Sequence, residues 1–143
     1  GEFCLNYAEA VYHYYGSAEA AGEFDLSANG AINALRDRSD VQMPHWSGNP
    51  SNWLARYQRA RFVELAFEDH RFWDVRRWKC GSELAAIKIA KIQKNAAGDV
   101  VLTRTQEARS WEDKYYFFPI PFSEINKNPN LKQNSGWGTN NQQ

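Results

Sequence analysis

The sequence predicts a mostly α fold: a tetratricopeptide-like helical hairpin, a long framework helix, then a small β-hairpin and an extended C-terminal segment. Three observations carry this. Apolar residues recur at helical spacing in two stretches before residue 36. Asn49 and Pro50 then open a charged and apolar run that reads as one helix from Ser51 toward Trp78. Beyond Cys80-Gly81 the period changes to two strands around "NAAGD". At 143 residues the chain has room for one domain with a core.

Leu5, Ala8, Tyr12 and Tyr15 mark one face of the first helix, and Gly16 is its stop signal. Ala28, Ala31, Ile32 and Leu35 mark the second, with Asp25 or Ser27 as N-cap. The pair is close to the length of a tetratricopeptide unit, about 34 residues. One such unit cannot bury its own face, so the chain reads as a piece of something larger. "MPHWSGNPSNW" is a loop, ending in Asn49 as cap and Pro50 at the first helical position. "AAIKIAKIQK" and "VVLTRTQE" form the hairpin, with Gly98 at its turn. Pro119 and Pro121 hold an extended segment, Ser123 is the cap expected for a short helix, and Pro129 ends it. Residues 1–3, "GEF", read as a cloning scar, 4–137 as the folded portion, and 138–143 as a disordered polar tail.

Composition excludes several functions. Seventeen basic and seventeen acidic residues give no net charge, which argues against a nucleic-acid binder. The longest apolar run, "YYFFPIPF", is too short to span a bilayer. Cys4 and Cys80 lack metal-ligand spacing, and whether they form a disulfide stays open. Aromatics reach 15% of the chain although its mean hydropathy is −0.70. That pairing fits aromatic packing or aromatic ligand contacts within a polar surface.

"RFVELAFEDHRFWDVRRW", Arg61–Trp78, concentrates charge among large apolar residues. Arg61 with Glu64, and Glu68 with Arg71, are i,i+3 partners of opposite sign. Asp69, His70, Asp74, Arg76 and Arg77 intrude on the apolar arc, where buried charge must be paired. The spacing suggests His70 with Asp74 and Arg77, and Asp69 with Arg76. This reads as a structural ion network fixing the helix. A glycosidase pair made of Glu64 and Glu68 would need one carboxyl raised, whereas arginines at both ends favour two ionised groups. His70 and Asp74 lack a third metal ligand, and no phosphate loop or nucleophile elbow occurs. No catalytic residue, metal or cofactor is expected.

"ELAFEDHRFWDVRRWK", a hairpin, and "YYFFPIPFSEINKNPNLKQNSGW" follow one another in an order that resembles the C-terminal part of the SusD/RagB family. "LNYAEAVYHYYG" and "AINALRDRSD" are similar to the helical pair just before it, so the resemblance runs from about Cys4 to Trp137. It implies a lipoprotein on the outer face of the outer membrane of Bacteroidetes-type bacteria. Such proteins capture glycans or other nutrients and pass them to a SusC-like TonB-dependent transporter, over which they act as a lid. They bind and do not cleave. The family often has Gly where Asp69 stands, and a polar residue at Phe122. The lipobox cysteine is missing, as are the earlier repeats and the N-terminal half, so membrane attachment rests on a lipid anchor absent from this chain. No binding residue carries over by motif.

Sugar rings stack on aromatic faces, which makes Trp46 and Trp53, flanking "SGNPSN", the glycan-binding candidates, with His45 and Asn52 available for hydroxyls. Packing competes for both rings, since Trp53 also starts the buried face of a helix. Trp111 is a weaker candidate. Trp73 and Trp78 are expected in the core, and Trp137 is expected to pin the tail. The alternative is a structural and transporter-facing module whose ligand site lies in the missing half.

Overall fold

The computed structural model describes residues 1–138, and they fall into two compact units. The first is Gly1–Arg71; the second begins at Phe72. The expected tail lies outside the described residues except for Gly138. Both cysteines are free thiols. No helix among the described residues is long and apolar enough to cross a membrane.

Three helices build the first unit: α1 (Glu2–Tyr15), α2 (Ala28–Arg36) and α3 (Trp53–Glu64). α1 buries Leu5, Ala8 and Val11, while Tyr12 is half-buried and Tyr15 lies outside the core. It stops at Gly16, whose left-handed φ of 67° lets its N–H reach the Tyr12 carbonyl at 2.8 Å. α2 starts from Ser27, whose Oγ accepts from the Gly30 N–H at 3.0 Å. Asp25, the other cap candidate, instead sits in a turn at φ 50°. Ala28, Ala31 and Ile32 are buried along the predicted face.

α3 corrects the expected start. Its cap is Asn52, not Asn49, and the first helical residue is Trp53. Asn49 is used elsewhere: its Oδ1 accepts from the Ala18 N–H at 3.1 Å, which holds it outside the helix. The long framework helix is also corrected. α3 ends at Glu64, the chain turns through residues 65–69, and α4 (His70–Arg77) begins a new segment. Phe67 and Asp69 adopt φ of 67° and 60°, left-handed values that no continuous helix permits.

The second unit continues from α4 through a short 3₁₀ turn at Gly81–Ala85 into β1 (Ala86–Lys94) and β2 (Val100–Ala108). These pair antiparallel from Ala86 opposite Ala108 to Lys94 opposite Val100. The Asn95 Oδ1 accepts from the N–H groups of Ala97 and Asp99 across the turn, and Gly98 supplies its φ of 90°. A second 3₁₀ turn, Asp113–Tyr116, leads to α5 (Phe122–Lys127). Pro121 occupies its cap position, so Ser123 lies inside the helix and not at its cap. The Gln133 amide exchanges two hydrogen bonds with the Ile120 backbone, at 2.7 and 2.9 Å. Trp137 ties back through its indole N–H to the carbonyls of Lys114 and Phe117.

Candidate functional site

The loop holding the aromatic candidates is fastened by two asparagines one turn apart on α2. Asn33 pairs with the Trp46 backbone in both directions: its Nδ2 donates to the Trp46 carbonyl at 2.9 Å, and its Oδ1 accepts the Trp46 N–H at 2.7 Å. Asn29, almost fully buried, donates from Nδ2 to the Gly48 carbonyl at 2.9 Å and to the Glu19 carboxylate at 2.7 Å. Its Oδ1 accepts the Trp53 indole N–H at 2.7 Å. The same Glu19 oxygen accepts the Gly48 N–H. Every polar end of the Asn29 amide therefore has a partner, as a buried amide requires.

Trp53 has no exposed surface. Its ring stacks on Tyr12 at 4.2 Å and on Tyr57 at 5.5 Å between centroids. Trp46 is 9% exposed and meets Trp53 edge to face at 6.2 Å. The Arg56 guanidinium lies 4.4 Å from the Trp46 ring centroid and Arg36 5.7 Å. Both tryptophans are thus engaged in packing, and a sugar could reach Trp53 only by dismantling the core. The other two candidates are exposed. His45 is bound through Nε2 to Asp37, and Asn52 makes no side-chain capping bond.

Below the stack, the Tyr57 hydroxyl donates toward the Leu5 carbonyl at 2.9 Å and the Glu9 carboxylate at 3.0 Å. Burial, then the adjacent Glu9 charge, pushes the Tyr57 phenol far above the ordinary tyrosine range, and the nearby Arg61 only partly offsets this. It is held as a neutral donor.

Beside Trp46 the first unit has a cavity of about 360 Å³. Leu5, Ile32, Leu35, Val41, Met43 and Val63 give it an apolar surface, and Arg36, Arg56 and Arg59 add guanidiniums. Glu64 also lines it, bridged to Arg38 at 2.8 Å. Sequence reasoning missed this feature. Arg36 comes from α2 and Arg56 and Arg59 from α3, and only the fold brings them together.

The SusD family's model matches residues 1–137. The chain belongs to the SusD family. It is also similar to the crystal structure of a SusD-like protein from Bacteroides fragilis, with a TM-score of 0.72 at 32% identity. That match covers 95% of this chain and 24% of the other, so the chain spans about a quarter of its relative's length. No curated protein matches.

In this SusD-family chain, the charged stretch is tied differently from its helical spacing. Arg61, which is buried, donates to the Asn6 Oδ1 at 2.7 Å and approaches the His70 Nδ1 at 3.5 Å, while Glu64 pairs with Arg38. His70 faces Glu2 at 3.8 Å. The expected Asp69–Arg76 and Glu68–Arg71 pairs do not form: Glu68 and Asp69 are exposed in the turn after α3. Arg71 lies over the Phe62 ring at 5.1 Å. In the second unit, buried Asp74 pairs with Arg77 at 3.0 Å, and Arg76 lies 3.6 Å from the Phe72 ring centroid. Trp73, expected in the core, is 59% exposed, and Trp78 is half-buried. Trp111 packs against Gly81 and the ring of Tyr116. Glu64 and Glu68 share no helix, and Glu64 is committed to Arg38, so they do not form a carboxylate pair.

Proposed function

We propose that the protein to which this chain belongs captures a nutrient, a glycan in the first instance, at the bacterial outer-membrane surface. It then hands that ligand to a SusC-like TonB-dependent transporter without cleaving it. SusD-family membership over residues 1–137 is the observation that carries this reading. Attachment to the cell-surface face of the membrane would come from a lipid anchor and not from a helix described here.

A second reading concerns what this portion contributes. The burial of Trp53 and the Arg56 guanidinium over Trp46 favour a scaffold and transporter-facing role, with the ligand contacts elsewhere in the protein. Trp46, His45 and Asn52 remain the places where a glycan could touch this chain.

Affinity gel electrophoresis against a panel of polysaccharides separates the two, with Trp46→Ala run alongside. The scaffold reading expects no retardation of the folded protein. Retardation by one polysaccharide, lost in a Trp46→Ala protein that keeps its circular dichroism, would place a glycan contact in this loop. Cleavage of any polysaccharide in the panel would overturn the assignment as a binding protein.

A further inference from the structure

The cavity beside Trp46 has an unusual composition for a patch on this unit. The first unit carries six arginines and no lysine against ten carboxylates, so it is acidic as a whole. Yet Arg36, Arg56 and Arg59 converge on one groove, and none of the three has a carboxylate partner among the described residues. Arg36 spends its Nε on the Pro44 carbonyl at 2.6 Å, and Arg56 rests on the Trp46 ring. Arg59 is exposed. The one lining carboxylate, Glu64, is already neutralised by Arg38. The groove therefore presents unmatched positive charge.

Its floor is aliphatic. Ile32 and Leu35 from α2, Ala60 and Val63 from α3, and Met43 all line it. Met43 and Val63 are 51% and 66% exposed, so apolar surface reaches solvent next to the guanidiniums. A sugar would find no open aromatic face here, because the Trp46 ring is 9% exposed and covered by Arg56. An amphipathic helix laid between two helices needs what the groove supplies: aliphatic holes along its length and cations at the edge. The geometry points to a docking groove on the α2–α3 face for an acidic amphipathic helix of a partner polypeptide, its leucine-type side chains on the aliphatic floor and its carboxylates on Arg36, Arg56 and Arg59. This holds whether or not the chain touches a nutrient.

Fluorescence anisotropy on the full chain tests it. The probe is a fluorescein-labelled peptide of about 18 residues, long enough for five helical turns, with Leu and Glu at helical spacing. Two matched peptides carry Lys for Glu or Ser for Leu. The Glu/Leu peptide should bind saturably and the other two should not. Arg59→Glu, at an exposed position, should weaken binding about fivefold or more, since it replaces attraction by repulsion. Val63→Asp should do the same through the floor, and far-UV circular dichroism should show both variants folded. Absence of binding, equal binding of the Glu/Ser peptide, or binding unchanged in both variants would overturn the proposal. So would polygalacturonate that displaces the peptide and itself depends on Arg59, because the groove would then be an anionic-glycan site.

Discussion

Replacing Asn29 by Asp tests whether the α2 amide holds the aromatic loop. The substitution keeps the side chain's shape and its acceptor for the Trp53 indole N–H. It converts the group that donates to Glu19 and Gly48 into an acceptor aimed at a carboxylate and a carbonyl. One lost bond is charge-assisted, worth about 1.5–3 kcal/mol, and the other about 1 kcal/mol. Repulsion from Glu19 adds to this, so we expect a loss of about 3–5 kcal/mol for the two bonds and the repulsion together. A unit of this size is stabilised by only about 4–10 kcal/mol, so the variant should lose much of its fold at room temperature. Asn29→Ala should cost about 2–4 kcal/mol by leaving the buried indole N–H without an acceptor. Trp53→Phe removes that donor, and the Asn29→Ala/Trp53→Phe cycle should show a coupling of about 1–2 kcal/mol. Urea unfolding followed by far-UV circular dichroism measures each, provided the slope stays constant. Asn29→Asp within about 0.5 kcal/mol of the parent, the range of an ordinary surface change, would refute the keystone role.

Three further outcomes follow from single contacts. Tyr57 has a folded-state pKa raised above its unfolded value, so its contribution is complete below about pH 10 and is lost as pH rises beyond it. Tyr57→Phe should cost about 1–2 kcal/mol at pH 7, and a pH series of urea midpoints should show that gap closing above pH 10. At Gly81 an added Cβ would stand 1.9 Å from the nearest Trp111 atom, so Gly81→Ala should displace the indole. A loss of about 2–3 kcal/mol and an altered near-UV spectrum are expected. Phe67 is fully exposed at a left-handed φ, so Phe67→Asn should stabilise the chain by about 0.5–1 kcal/mol in thermal melts.

Signals local to a few residues were legible in the sequence. Gly16, Ser27 and Gly98 occupy the stop, cap and turn positions assigned to them because each acts within a few residues of itself, the glycines through left-handed backbone and Ser27 through its Oγ on the Gly30 N–H. The break after Glu64 was not legible. Leu65 to Asp69 contains no glycine or proline, and its residues would continue a helix if tertiary structure allowed. One hint stood in the resemblance: the family often has Gly where this chain has Asp69, and the φ of 60° there shows why a residue tolerant of left-handed backbone suits the position. The packing of Trp46 and Trp53 was not legible for a different reason. A tryptophan in a Pro-, Gly- and Asn-rich loop looks like an exposed platform, but its role depends on what its two faces and its N–H meet. Tyr12 lies forty-one residues before Trp53 and Asn29 twenty-four before it, distances at which no periodicity speaks.

The charged stretch shows how burial overrides spacing. Arg61 and Glu64 lie one turn apart with opposite charge, and an exposed pair of that kind is worth only a few tenths of a kcal/mol. Arg61 is 4% exposed, so its desolvation outweighs such a gain and must be met by better-placed acceptors; Asn6, brought by α1, is one. Glu64 is thereby released to bridge Arg38, which lies just beyond the end of α2. That exchange ties α3 to both earlier helices at once. With Glu64 spent on Arg38, Arg36, Arg56 and Arg59 line the groove without a carboxylate partner among the described residues.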